Sequence, residues 1–149
     1  MNGGFLLDTN VISATASDRR IVPEQAKAAA RSWIVNNQGR LYLPVTAIAE
    51  IAAGIGTREG AGATRQAADL AAWLRSVLGS YPDRVLVLNA EAALHARALA
   101  RKAREGGVVA GFADLTVACI ASAHELVVAT RNTRDFAPLG IETLDPFTA

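Results

Sequence analysis

Short apolar runs occur at residues 5–7, 41–43, 85–88 and 126–129, and the first three end at turn-forming or capping residues. Each run has the length of a strand, and continuous apolar runs are typical of strands that are buried on both faces. Residues 141–144 are a candidate for a last edge strand. The pattern predicts an α/β fold in which a parallel sheet of four or five strands is flanked by helices.

Helices are predicted between these strands, the first beginning just after residue 8. The clearest spans residues 64–78, where apolar side chains recur at helical spacing around Trp73, a predicted core residue. Thr46 is expected to cap a helix over residues 47–55, with glycines ending it before a flexible segment at 56–62. Three further helices are predicted, at residues 23–37, 90–105 and 112–123.

The chain has 149 residues, 51% of them apolar, and no internal repeat or linker, so we expect one domain over residues 1–149. Its first residues lack the features of a secretion signal, and no segment approaches the roughly 18 apolar residues that span a bilayer. The single cysteine, Cys119, excludes an internal disulfide and is expected to be buried. These features favour a cytoplasmic protein that is not attached to a membrane.

Four acidic residues are expected at one edge of the predicted sheet. In such folds the carboxyl ends of the strands and the amino ends of the helices share an edge. Asp8 ends the first strand and Asp135 follows the fourth. Glu50 lies about one turn after Thr46, and Asp114 lies in the first turn of its helix. The four carboxylates should therefore meet.

Each acidic residue also has a purely structural explanation. Asp114 would interact favourably with the dipole of its helix, Asp8 would cap a helix, and Asp135 would form a turn. Glu50 fits such an explanation poorly, because it is the only charged residue within residues 47–53.

Clustered carboxylates require protons or cations. Two unit charges about 4 Å apart repel by about 4 kcal/mol at an effective dielectric constant near 20. A set of oxygen ligands suits Mg²⁺ or Mn²⁺, and the absence of a Cys or His cluster argues against zinc. Because Mg²⁺ binds through one or two carboxylates together with water and substrate phosphate, the pattern indicates metal-assisted hydrolysis of a phosphodiester.

Several other chemistries lack their residues. The only histidines are His95, expected to pair with Glu91 on a helix surface, and His124, expected at a helix end. A two-histidine ribonuclease mechanism is therefore disfavoured. No glycine-rich dinucleotide loop or P-loop is present. Asn10 stands where a haloacid-dehalogenase phosphatase requires a second aspartate.

Four motifs occur in order: Leu-Leu-Asp-Thr-Asn-Val-Ile-Ser at residues 6–13, Thr46-x-x-x-Glu50, Phe-Ala-Asp-Leu around Asp114, and Thr-Arg-Asn-Thr-Arg-Asp-Phe at residues 130–136. On these residues the chain resembles the PIN-domain ribonucleases, and closely the VapC-type toxins of bacterial toxin–antitoxin modules. The resemblance covers nearly the whole chain and implies a single PIN-like domain.

This resemblance implies an Mg²⁺-dependent endoribonuclease whose metal pocket is formed by Asp8, Glu50 and Asp114. It also implies a homodimer, and inhibition by a small antitoxin whose tail occupies the active site in a hetero-oligomer. Two other functions remain open: a catalytically silent PIN-fold binding module, and a nuclease directed at DNA or at particular nucleic-acid structures.

The fourth acidic position remains open between Asn132 and Asp135. We favour Asp135 as the charged group and Asn132 as a hydrogen-bonding or water-positioning residue. Thr9 is expected to support the site through its hydroxyl. Arg131 and Arg134 flank the site and are candidates for contacts with RNA phosphates, to which the guanidinium group is well suited.

The charge balance changes meaning once the acidic pocket is assigned. Fifteen Lys and Arg against 14 Asp and Glu give a net charge of +1, which argues against a globally basic surface. If four acids share one pocket, the rest of the molecule carries +5, which is compatible with an RNA partner. Arg97, Arg101 and Arg104 form a basic stripe, for which a solvated helix face is the favoured interpretation.

Overall fold

The computed structural model describes residues 3–16 and 24–149. Its centre is a five-stranded sheet in the order β3-β2-β1-β4-β5, with every neighbouring pair parallel. The strands are β1 (Phe5–Leu7), β2 (Leu41–Pro44), β3 (Val85–Leu86), β4 (Val127–Ala129) and β5 (Thr143–Leu144). The expected α/β fold is confirmed, and β1 lies at the middle of the sheet.

Helices connect and cover the strands. In the described residues they are α1 (Thr9–Ser13), α2 (Glu24–Asn36), α3 (Val45–Gly60), α4 (Thr64–Ser80), α5 (Ala90–Leu94), α6 (Ala96–Glu105), α7 (Phe112–His124) and α8 (Thr133–Phe136). Two 3₁₀ turns cover Gln38–Arg40 and Ala137–Leu139. None of the helices that the structure describes is long and apolar enough to cross a bilayer.

Alternate side chains of β1 pack into a core on each face of the sheet. Leu6 packs with Ile120 of α7 and other residues on one side, whereas Leu7 belongs to the cluster around Val11 and Leu43 on the other. Successive strand residues point to opposite faces, so three residues contribute to both cores. The predicted burial of Cys119 is confirmed, within the α7 side of the core.

Helix α3 differs from its prediction at both ends. It begins at Val45 rather than after a threonine cap, and the buried Oγ1 of Thr46 has no hydrogen-bond partner. It then continues to Gly60 across the segment expected to be flexible. A glycine inside a helix costs about 1 kcal/mol relative to alanine. Packing of Ile55 against Leu74 and the rest of the α4 cluster offsets that cost.

The predicted helix over residues 90–105 is divided into α5 and α6 at His95. The half-buried His95 lies with its Nδ1 2.8 Å from Ser122 Oγ, so the expected surface pair with Glu91 is wrong. Among the other helices, α4 and α7 match their predictions closely, and α2 ends at Asn36. The expected start of α2 at Pro23 lies outside the described residues.

Candidate functional site

Asp8 stands where the central strand becomes a helix. Its backbone N–H donates to the carbonyl of Ala129 at 2.9 Å, which extends the pairing of β1 with β4 by one residue. Its side chain caps α1, because Oδ1 accepts a hydrogen bond from the backbone N–H of Thr9 at 2.8 Å. Asp8 is 8% exposed. The capping interpretation of Asp8 is thus correct, and the cap uses only one of the two carboxylate oxygens.

Thr130 holds that second oxygen. Its hydroxyl donates to Asp8 Oδ2 at 2.8 Å, and its Oγ1 accepts from the backbone N–H of Asn132 at 3.0 Å. Thr130 is fully buried directly after β4. One threonine therefore connects the carboxylate at the end of β1 to the turn that follows β4.

Asn10 connects the same two segments from the other side. Its Nδ2 lies 3.4 Å from Asp8 Oδ2 and 3.3 Å from Thr130 Oγ1, and its Oδ1 accepts from the backbone N–H of Arg131 at 3.1 Å. Asn10 and Thr130 stand in the sequence motifs, but neither was predicted to belong to the site. Their signal is a polar residue within three positions of the end of a buried strand, at the edge where Asp8 lies.

Glu50 is tied to the site by Thr9. The Thr9 hydroxyl donates to Glu50 Oε2 at 2.8 Å, which joins α1 to α3. Glu50 itself is exposed. Thr9 therefore makes two contacts in the site, one through its backbone N–H to Asp8 and one through its hydroxyl to Glu50.

One cavity of about 520 Å³ collects these side chains. The polar part of its wall includes Asp8, Thr9, Asn10, Glu50, Asp114, Arg131 and Asn132. Asp114 lies in the first turn of α7, as expected. Asp135 and Arg134 are exposed on α8 and do not belong to the wall. The structure thus brings three of the four predicted carboxylates to a single cavity.

The carboxylates perturb one another. Burial raises the pKa of Asp8 above its ordinary value, and the charges of Glu50 and Asp135 add to this, while hydrogen bonds from Thr130 and the Thr9 backbone oppose it. Burial likewise raises the pKa of Asp114, with further contributions from Asp135, Asp8 and Glu50. Asp135 is therefore electrostatically part of the cluster although it lies outside the wall.

The donor set suits a hydrated divalent cation. In residues 3–16 and 24–149, no three Asp, Glu, His or Cys side chains are close enough to form a complete protein cage for a metal. Mg²⁺ does not require such a cage, because it binds through one or two carboxylates and keeps several waters. A bound cation would stabilise the charged forms of these carboxylates, which burial and their mutual repulsion disfavour.

The chain is similar in sequence to known proteins over nearly its full length. The PIN domain model matches residues 5–140. The chain is 32% identical over 146 residues to the plasmid stability protein StbB of Pseudomonas syringae pv. tomato, covering 97% of this chain and 99% of that protein. It is 31% identical over 144 residues to the VapC ribonuclease Y4jK of Sinorhizobium fredii, covering 96% and 97%.

Solved structures share the fold. FitAcB from Neisseria gonorrhoeae superposes with a TM-score of 0.83 at 26% identity, covering 97% of this chain and 99% of that one. DNA-bound VapBC from Salmonella typhimurium superposes with a TM-score of 0.74 at 23% identity, covering 96% and 98%. The match extends across nearly the full length of each chain.

Proposed function

Because the chain belongs to the PIN-domain family, we propose that it is a divalent-metal-dependent endoribonuclease that acts as the toxin of a toxin–antitoxin pair. The observation that carries the proposal is the convergence of Asp8, Glu50 and Asp114 on the wall of one cavity. This arrangement occurs in a chain related to a VapC ribonuclease over nearly its whole length.

Asp8, Glu50 and Asp114 would hold Mg²⁺, or Mn²⁺ in its place, partly through the waters that the ion keeps. When bound, such an ion supplies an activated water and neutralises charge on the phosphate. Asp135 contributes negative charge from outside the wall, whereas Asn132 on the wall positions water or substrate by hydrogen bonding. Thr9 orients Glu50 through its hydroxyl.

Arginine side chains near the carboxylates would bind the RNA backbone. Arg131 lies on the cavity wall, and its backbone N–H is held by Asn10. Its guanidinium carbon lies 5.9 Å from the ring centroid of Phe147, which limits its orientations. Arg134 is exposed on α8, three residues further along the chain, and would contact phosphate outside the cavity.

We further propose a cognate antitoxin whose tail enters this cavity, giving a toxin–antitoxin hetero-oligomer. The relatives of known structure include a toxin–antitoxin complex from Klebsiella pneumoniae, and both FitAB and Salmonella VapBC were solved bound to DNA. An RNA substrate and one buried cysteine are consistent with action in a reducing cytoplasm.

An exposed apolar surface supports a homodimer. Leu94 on α5 is 78% exposed. Val109 precedes α7 and is 77% exposed, and Phe112, the first residue of α7, is 80% exposed. Helix α5 packs against α7, so these residues belong to neighbouring segments. A second copy of this chain would cover them.

The central experiment compares Asp8→Asn with Asp69→Asn, the same chemical change at an exposed position on α4. With Mg²⁺ and single-stranded RNA, we expect Asp8→Asn to lower the cleavage rate by about 100-fold or more, since a lost metal ligand removes several kcal/mol of transition-state stabilisation. Asp69→Asn should cleave like the unmodified protein, and a chelator should abolish cleavage by both of these proteins.

Parallel measurements separate this proposal from the other two functions. Undiminished cleavage by a folded Asp8→Asn protein would contradict the assigned site. Titration calorimetry that detects no Mg²⁺ or Mn²⁺ uptake, together with no cleavage, would identify a silent binding module. Preferential cleavage of DNA under the same conditions would identify a DNA-directed nuclease.

A further inference from the structure

The cavity that holds the carboxylates extends well beyond them. Its remaining wall is mostly apolar and comes from helices α3 and α4, with Ile51, Ile55, Leu70 and Trp73 on it. A hydrated metal ion and a phosphate would bind at the carboxylates. The apolar part would then be left for a further chemical group of the same molecule, joined to that phosphate.

Trp73 gives the apolar part a fixed aromatic surface. Its Nε1–H donates to Thr15 Oγ1 at 3.0 Å, which sets the edge of the ring. The side chain also packs against two apolar clusters, one around β1 and β2 and one between α3 and α4. Trp73 was expected to belong to the core. The structure leaves it half-buried, with part of its side chain on the cavity wall.

Cationic side chains also line this cavity. Lys27 of α2 is 3% exposed and Arg58 belongs to α3, and each already interacts with another group of the protein. The ligand is therefore selected by the rest of the wall, where a purely apolar molecule would gain nothing from the carboxylates. A ligand that combines a flat ring with a phosphate matches both parts of that wall: carboxylates that would hold a metal for the phosphate, and an indole for the ring.

We propose that the apolar part of the cavity is a nucleobase subsite, in which the base next to the scissile phosphate of a single-stranded RNA stacks on Trp73. This inference rests on the proposed nuclease function and adds that the substrate must present an unpaired base. The cavity volume of about 520 Å³ lies within the range of about 300–1,000 Å³ that is typical of sites for small organic ligands.

When the antitoxin is absent, one nucleotide of a single strand can reach both parts of the cavity, because the subsite is continuous with carboxylates suited to metal and phosphate. Stacking on an aromatic side chain accepts any base, so the subsite would select unpaired nucleotides rather than one sequence. Removing one base from a bound strand should weaken binding by roughly 5- to 100-fold.

Tryptophan fluorescence tests the proposal without metal or catalysis. The chain has two tryptophans, and Trp33 packs edge-on against Phe5 and is not on the cavity wall. In chelator, Trp33→Phe leaves Trp73 as the only indole, and Trp73→Phe leaves Trp33 as a matched control. A trinucleotide of RNA should quench the first protein saturably and leave the second unchanged.

An abasic trinucleotide with the same phosphates completes the test. We expect it to bind the unmodified protein at least 5-fold more weakly than the normal trinucleotide does. It should also leave the fluorescence of Trp73 in Trp33→Phe unquenched. Equal quenching by both strands, or equal quenching of the two variants, would overturn the subsite.

The subsite and the nuclease can fail separately. Normal Mg²⁺-dependent cleavage of RNA with no quenching at Trp73 would reject the subsite and keep the proposed function. Base-dependent quenching at Trp73 in a protein that never cleaves RNA would keep the subsite and reject the nuclease.

Discussion

The hydroxyl of Thr130 donates a 2.8 Å hydrogen bond to Asp8 Oδ2 and so joins two residues that lie 122 positions apart in the chain. The two follow β1 and β4, neighbouring parallel strands whose carboxyl ends share an edge. Because the donor is fully buried, this bond restricts the carboxylate to one orientation. It also lowers the pKa of Asp8 against the larger effect of burial, so Thr130 helps to keep the carboxylate charged.

Thr130→Val should reduce metal-dependent cleavage by roughly 10- to 100-fold, the usual cost of losing a group that orients a metal ligand. The pKa of Asp8 should rise further, so the acidic limb of the pH–activity profile should move to higher pH. Thr130→Ser retains the hydroxyl and should restore both quantities. An unshifted profile in the valine variant would show that Thr130 acts only through packing.

Metal-free protein should become less stable as the pH rises from about 4 towards neutrality. Burial raises the pKa values of Asp8 and Asp114 above the ordinary value of 3.8, so between that value and the raised values the folded state binds more protons than the unfolded state. Its free energy of unfolding therefore falls across this window. Thermal unfolding in chelator, followed over pH, measures the effect.

Two comparisons show whether the carboxylates cause the change in stability with pH. Asp114→Asn cannot ionise, so its Tm should exceed that of the unmodified protein by more at pH 7 than at pH 4. Mg²⁺ should raise the Tm of the unmodified protein more at pH 7 than at pH 4, because it binds the charged forms. A Tm difference that does not change with pH would contradict the raised pKa of Asp114.

Thr46→Val should stabilise the protein by about 1 kcal/mol, which raises Tm by about 2–4 °C for a chain of this size. The buried Thr46 Oγ1 has no hydrogen-bond partner, so the folded state carries a desolvation cost that valine removes at similar volume. Thr57→Val on the same helix is the control, since Thr57 Oγ1 donates to the carbonyl of Ala53. Equal Tm shifts for both variants would argue against this explanation.

Leu94→Asp should convert the proposed homodimer into single chains. The substitution places a charge on the exposed apolar surface next to α7, where a partner would have to desolvate it. Val35→Asp, at a position 62% exposed on α2, is the matched control and should remain dimeric. Sedimentation equilibrium gives the mass directly, and a single-chain mass for the unmodified protein would contradict the dimer.

The strands and the long helices were predictable because their signals are local. A run such as residues 5–7 has to be buried on both faces, and the apolar spacing of residues 64–78 specifies one helical face. The end of α3 was not predictable in this way. Two glycines argued for an early stop, and packing of Ile55 against α4, a contact between distant residues, decided otherwise.

His95 shows the same limit at the scale of one side chain. Its spacing from Glu91 suggested a surface pair on a continuous helix, whereas the helix divides there and His95 Nδ1 meets Ser122 of α7. Local propensity carried no information about that partner, because the two residues come together only when α5, α6 and α7 pack.

The sequence by itself determined the α/β fold and the meeting of Asp8, Glu50 and Asp114, since a parallel sheet places every strand end at one edge. Only the tertiary structure decided how the carboxylates are held, through Thr130 and Asn10. It also showed that the same cavity continues to Trp73. Hydrogen bonds and cavity walls depend on distances of a few ångströms between distant segments, and such distances are set when the helices pack.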